Sequence, residues 1–115
     1  MGVNARFRLR ITKGKDIAVG PGKVELLEAI VQTGSITAAA KEMEMSYRRA
    51  WLLVDDMNRC FKRPVVETAA GGKRGGGTLV TSNGMEVIRL YRRIEAIAAR
   101  ASGRDLATLD GMLGR

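Results

Sequence analysis

Histidine is absent from the chain. With it go the commonest general base, the Ser-His and Cys-His nucleophile pairs and most zinc sites. Cysteine occurs once, as Cys60. One thiol closes no internal disulfide and supplies no thiolate cluster, and it fits a reducing compartment. No uncharged apolar run approaches the roughly 20 residues that cross a bilayer, and the start MGVNARFRLR lacks the apolar stretch of a signal peptide. A cytoplasmic protein without a membrane segment is expected. Lysine and carboxylates remain as catalytic groups, but none is spaced for a reaction, so neither an enzyme nor a metal or cofactor site is expected. Only two prolines are present, few for a disordered chain.

What is abundant is positive charge. Twenty Lys+Arg stand against twelve Asp+Glu, a net charge of +8 on 115 residues, enough for one domain and a pairing element. That excess points to a polyanion partner or an anionic membrane surface. Hydrophobic residues make up 45 % of the chain, normal for a globular core.

The remaining elements are arranged about Ser35–Phe61, SITAAAKEMEMSYRRAWLLVDDMNRCF. Ser35 is a candidate N-cap, and Ile36, Ala39, Ala40 and Met43 follow at helical spacing. Glu44-Met45-Ser46 reads as a tight turn with Ser46 as a second N-cap. From there Ala50, Leu53, Val54, Met57 and Phe61 form the stripe of a helix packed on one side. Tyr47, Arg48, Arg49, Trp51 and Leu52 crowd its first turns. A small-residue helix, a turn and a helix with a basic, aromatic start make the pattern of a helix-turn-helix, whose second helix enters the DNA major groove.

Before this motif, Arg6–Thr12 alternates apolar and cationic residues, which predicts a half-buried strand, with Ile17–Val19 as its partner. Arg6, Arg8 and Arg10 then form a solvated edge or touch phosphate. Gly20-Pro21 opens a first helix whose apolar face is Val24, Leu26, Leu27, Ile30 and Val31, and Gly34 closes it. After the motif, Arg63-Pro64 breaks the helix. Val65–Thr68 and Thr78–Thr81 read as two strands joined by a glycine-rich loop carrying Lys73 and Arg74, the wing of a winged helix. The glycines around Lys73 lack the GxxxxGK[ST] spacing of a nucleotide loop. Thr81 or Ser82 caps a last long helix over about Asn83–Ala101. Gly84 is expected to weaken its start by about 1 kcal/mol relative to alanine. Val87, Leu90, Tyr91, Ile94, Ile97, Ala98 and Ala101 give that helix a stripe wide enough to serve both the core and a second subunit, or the core alone. Asp105–Leu113 forms a further short helix or a frayed tail.

The predicted fold is mainly α with a small β component: a winged helix-turn-helix with a long C-terminal dimerisation helix. Residues 1–82 form the DNA-binding domain, and 83–115 form the helical dimerisation segment. Arg48 and Arg49 are the candidates for reading bases, since a guanidinium donates two hydrogen bonds to guanine. Ser35, Thr37, Ser46 and Tyr47 are candidates for phosphate contact, although Tyr47 could equally pack. Lys73 and Arg74 are expected to add sequence-independent affinity. Trp51 is expected to brace the helix from its flank, and Cys60 to be a core thiol.

The segments GPGKVELLEAIVQTGSITAAAKEMEMSYRRAWLLVDDMN and GGKRGGGTLVTSNGMEVIRLYRRIE closely resemble the N-terminal DNA-binding domain of ModE-type molybdate-responsive regulators. More distantly, they are similar to the LysR-type winged helix. The resemblance implies a homodimer on a palindromic double-stranded DNA operator. It places molybdate in C-terminal oxyanion-binding domains outside these 115 residues, so no molybdate binding is expected of them. An adaptor for an acidic protein partner and a non-specific architectural DNA-binding protein are the alternative functions.

Overall fold

The computed structural model describes residues 5–68 and 77–114. Their elements are β1 (Ile11–Lys13), β2 (Asp16–Val19), α1 (Pro21–Thr33), α2 (Ile36–Glu42), α3 (Tyr47–Cys60), β3 (Val66–Thr68), β4 (Thr78–Val80), α4 (Ser82–Ala101) and α5 (Gly103–Met112). β1 pairs with β2 and β3 with β4, both antiparallel. This is the winged helix-turn-helix expected, mainly helical with two small sheets.

Local chemistry explains the boundaries. Pro21 occupies the first position of α1, where its missing N–H would have no partner. Gly34 ends the helix in the left-handed conformation (φ 71°), its N–H bonded to the Ile30 carbonyl. Ser35, Ser46 and Thr81 cap α2, α3 and α4, each side-chain oxygen accepting a backbone N–H of the following first turn. Between α2 and α3 the chain reverses through Glu44, at φ 57°, with the Met45 N–H on the Ala40 carbonyl.

The main core joins Leu26, Leu27 and Ile30 of α1 to Ala39 and Ala40 of α2, Ala50, Val54 and Met57 of α3, and Val65, Val66 and Val80 at the wing's base. The alanines let the helices approach closely. Val19, Val24 and Tyr91 form a second cluster, and Phe61, Val87 and Ile88 pack against both. The Tyr91 hydroxyl donates to the Leu9 carbonyl (2.7 Å), and burial pushes its pKa up. Arg92 ties α4 to α1 through two bonds to Glu28 (2.7 and 3.0 Å). No helix among the described residues is long and apolar enough to cross a membrane.

Four expectations are corrected. The first strand is confined to Ile11–Lys13, and Phe7 and Ile11 are exposed. The ribbon is short and irregular between Ile11 and Thr12, and the Leu9 carbonyl goes to Tyr91 instead of a strand partner. Val31 is exposed at the edge of α1, and Cys60 is only half-buried. Trp51 needs no correction: it lies beside the stripe, on the flank where it lines a groove with Ile36, Val66 and Thr68. Gly84, finally, is a site of close approach. A Cβ there would lie 2.3 Å from the Val65 carbonyl oxygen and 2.6 Å from Val80 Cγ1.

Candidate nucleic-acid interface

Three elements meet at one edge of the molecule: the start of α2, the start of α3 and the base of the wing. Ser35, Ile36, Thr37, Tyr47, Thr68, Gly77 and Thr78 line an open cleft of about 250 Å³ there. Thr33 stabilises the entry to α2 by donating to the Ala29 carbonyl (2.8 Å) and accepting the Ser35 N–H (3.3 Å). The Thr78 N–H then bonds to the Gly34 carbonyl (3.1 Å), fixing the returning wing strand against the turn before α2. Thr68, Gly77 and Thr78 are not among the DNA-contact candidates expected from sequence. Their place depends on that long-range bond.

The wing is also held from the α3 side. The Asn58 amide oxygen accepts the Val65 N–H (2.8 Å) and the Val66 N–H (3.3 Å), while its nitrogen donates to the Val66 carbonyl (3.0 Å). A side chain thus makes the bonds that a neighbouring strand would make. The signal in the sequence is a polar residue beside the apolar stripe, in the last turn of the helix.

Sequence reasoning placed Ser35, Thr37, Ser46, Tyr47, Arg48 and Arg49 near one another, and the structure brings them to the same edge. Ser35 and Ser46 are both occupied as caps, accepting from the Ala38 N–H (3.1 Å) and the Arg49 N–H (3.0 Å). Thr37, Tyr47, Arg48 and Arg49 are exposed. Lys73 and Arg74 lie outside the described residues.

Charge divides α3 in two. At its C-terminal end Arg59 pairs with Asp55 and Asp56. At its N-terminal end no ion pair among the described residues holds Arg48 or Arg49. Two unpaired guanidinium groups at the positive end of a helix dipole are locally unfavourable, and an anion against them removes the conflict. Among the described residues, no three His, Cys, Asp or Glu side chains converge on a place for a metal ion.

ModE of Azotobacter vinelandii, a molybdenum transport protein, is 40 % identical over 92 residues, which cover 78 % of this chain and 34 % of the relative. MopB of Rhodobacter capsulatus, a molybdenum-pterin-binding protein, is 48 % identical over 82 residues, covering 71 % and 30 %. The DNA-binding transcriptional dual regulator ModE of Escherichia coli K12 is 33 % identical over 99 residues, covering 86 % and 38 %. The chain carries a ModE-type winged-helix domain. It spans about a third of the length of these curated relatives. No family model matches it. The fold of the ModE-type domain is also that of a chain in the crystal structure of the CbnR_DBD–DNA complex, at a TM-score of 0.59 and 22 % identity, over 76 % of this chain and 95 % of that one.

Proposed function

We propose that the chain is a sequence-specific, dimeric transcriptional regulator that binds double-stranded DNA through α3 and the wing. The observation that carries this reading is the pair of guanidinium groups, Arg48 and Arg49, that form no ion pair among the described residues, at the exposed start of a capped helix beside an open polar cleft. The name of the Escherichia coli relative, a DNA-binding transcriptional regulator, supports it.

In this reading α3 enters the major groove with its first turns foremost. Arg48 donates to guanine O6 and N7, and Arg49 supports it or meets the adjacent phosphate. The cleft receives the sugar-phosphate backbone, with Thr37, Tyr47 and the start of α2 facing it and Ser35 and Ser46 holding the helix ends in place. Lys73 and Arg74 follow the backbone or minor groove alongside. Arg48→Ala is expected to weaken binding to the preferred duplex by about 10- to 100-fold, with little change on random duplex. Lys73→Ala with Arg74→Ala is expected to weaken both and to lower the slope of log affinity against log salt by about 2. Titrations of labelled duplexes at several salt concentrations separate the two. Equal losses on specific and random DNA for Arg48→Ala contradict its role as a reader.

The dimer rests on α4, assigned here with residues 83–115 as the pairing segment. Leu90, Ile94 and Ile97 are 43 %, 44 % and 44 % exposed along one side of it. Leu90 and Ile94 join Ile11, Phe61 and Val87 in lining an apolar groove of about 220 Å³. A second copy burying this face explains a stripe wider than the core consumes. Ile94→Glu is expected to yield a folded monomer in sedimentation analysis, and a mass unchanged by it contradicts this interface.

A further inference from the structure

The side chain on α3 that the packing leaves unexplained is Leu52. It is 45 % exposed and belongs to neither hydrophobic cluster. The other exposed apolar residues of the helix have neighbours on the wing side. Tyr47 lines the cleft with Thr68 and Thr78, and Trp51 lines a groove with Ile36, Val66 and Thr68. At about 100° per residue, Ala50, Val54 and Met57 define the buried face, and Leu52 lies nearly opposite its centre. Arg48 shares that outer face, about 40° around the helix and about 6 Å along its axis from Leu52. One turn further on, the Arg59–Asp55 and Arg59–Asp56 pairs neutralise the same side.

In a surface that meets DNA, an aliphatic side chain at this place has one apolar group to meet. The major-groove edges of the bases are hydrogen-bond donors and acceptors, apart from the 5-methyl of thymine. Phosphate is charged, and the sugar's C–H groups are the same at every position and carry no sequence information. The axial separation of about 6 Å is a little under two base-pair steps of about 3.4 Å. We propose that Leu52 determines specificity by packing on the 5-methyl group of a thymine within about two base pairs of the guanine read by Arg48. The inference rests on the DNA-binding reading above and adds to it the base chemistry of a second position.

The test begins with the duplex enriched by the wild-type protein from a random pool. Each thymine is replaced singly by deoxyuridine, which deletes the methyl and leaves base pairing intact. Wild-type affinity is expected to fall about fourfold at one thymine in each half-site, the factor for one methyl-sized apolar group. Leu52→Ala is expected to bind the unmodified duplex more weakly and to be indifferent to that replacement. Its melting temperature should match the wild type's, since the side chain lies outside the core. Wild-type indifference to every replacement overturns the proposal while leaving DNA binding intact, as does an undiminished deoxyuridine penalty in Leu52→Ala. Failure of the wild type to enrich any sequence removes the underlying reading instead, and is seen before a deoxyuridine duplex is made.

Discussion

Gly84→Ala is expected to destabilise the protein by about 2–3 kcal/mol, although a glycine inside a helix ordinarily weakens it. The contest is between two terms. Alanine gains about 1 kcal/mol of helix propensity. Against that, its Cβ would stand 2.3 Å from the Val65 carbonyl oxygen and 2.6 Å from Val80 Cγ1, inside any tolerable contact. Neither neighbour gives way easily. The Val65 oxygen accepts the Thr81 N–H (3.0 Å), Thr81 Oγ1 donates to the Pro64 carbonyl (2.7 Å), and Asn83 donates to the Arg63 carbonyl (3.0 Å). Three consecutive carbonyls are thus committed to the start of α4, so the helix must move as a unit or those bonds must break. Thermal unfolding followed by circular dichroism is expected to show a midpoint lower by about 10 °C or more. A raised midpoint contradicts the close approach.

Asn58→Ala is expected to cost about 2–4 kcal/mol, with an effect on the wing beyond that loss. Truncation removes all three amide bonds and leaves the N–H of the fully buried Val65 without its partner. A buried unsatisfied donor costs about 1–3 kcal/mol, and each lost bond adds to it. Asn58→Asp separates the parts: it keeps the acceptor for Val65 and Val66 but turns a second oxygen toward the Val66 carbonyl. Urea unfolding is expected to rank wild type above both variants. A loss under about 0.5 kcal/mol for Asn58→Ala contradicts the clamp.

The helices were legible because their signals are local. Pro21 and Gly34 bracket α1, Ser35 and Ser46 cap the two motif helices, and the stripe Ala50, Val54, Met57 faces the core as its period requires. Legibility ended where a residue's partner lies far along the chain. Gly84 is read wrongly in isolation because Val65 and Val80 determine its meaning. Phe7 and Ile11 satisfy the alternation of a half-buried strand, yet the strand covers only Ile11–Lys13 and both side chains stay exposed. The site divides the same way. The helix-turn-helix pattern supplies Ser35, Thr37, Ser46, Tyr47, Arg48 and Arg49 as candidates. Thr68, Gly77 and Thr78 join them only through the bond from Thr78 to Gly34.

Selection from a pool of random duplexes at two salt concentrations, with sequencing of the bound molecules, tests the central claim most directly. The account predicts an enriched inverted repeat, its half-sites containing a guanine for Arg48, and affinity that falls steeply with salt. Salt-sensitive binding with no enriched motif contradicts it, because the exposed start of α3 would then grip backbone without reading bases.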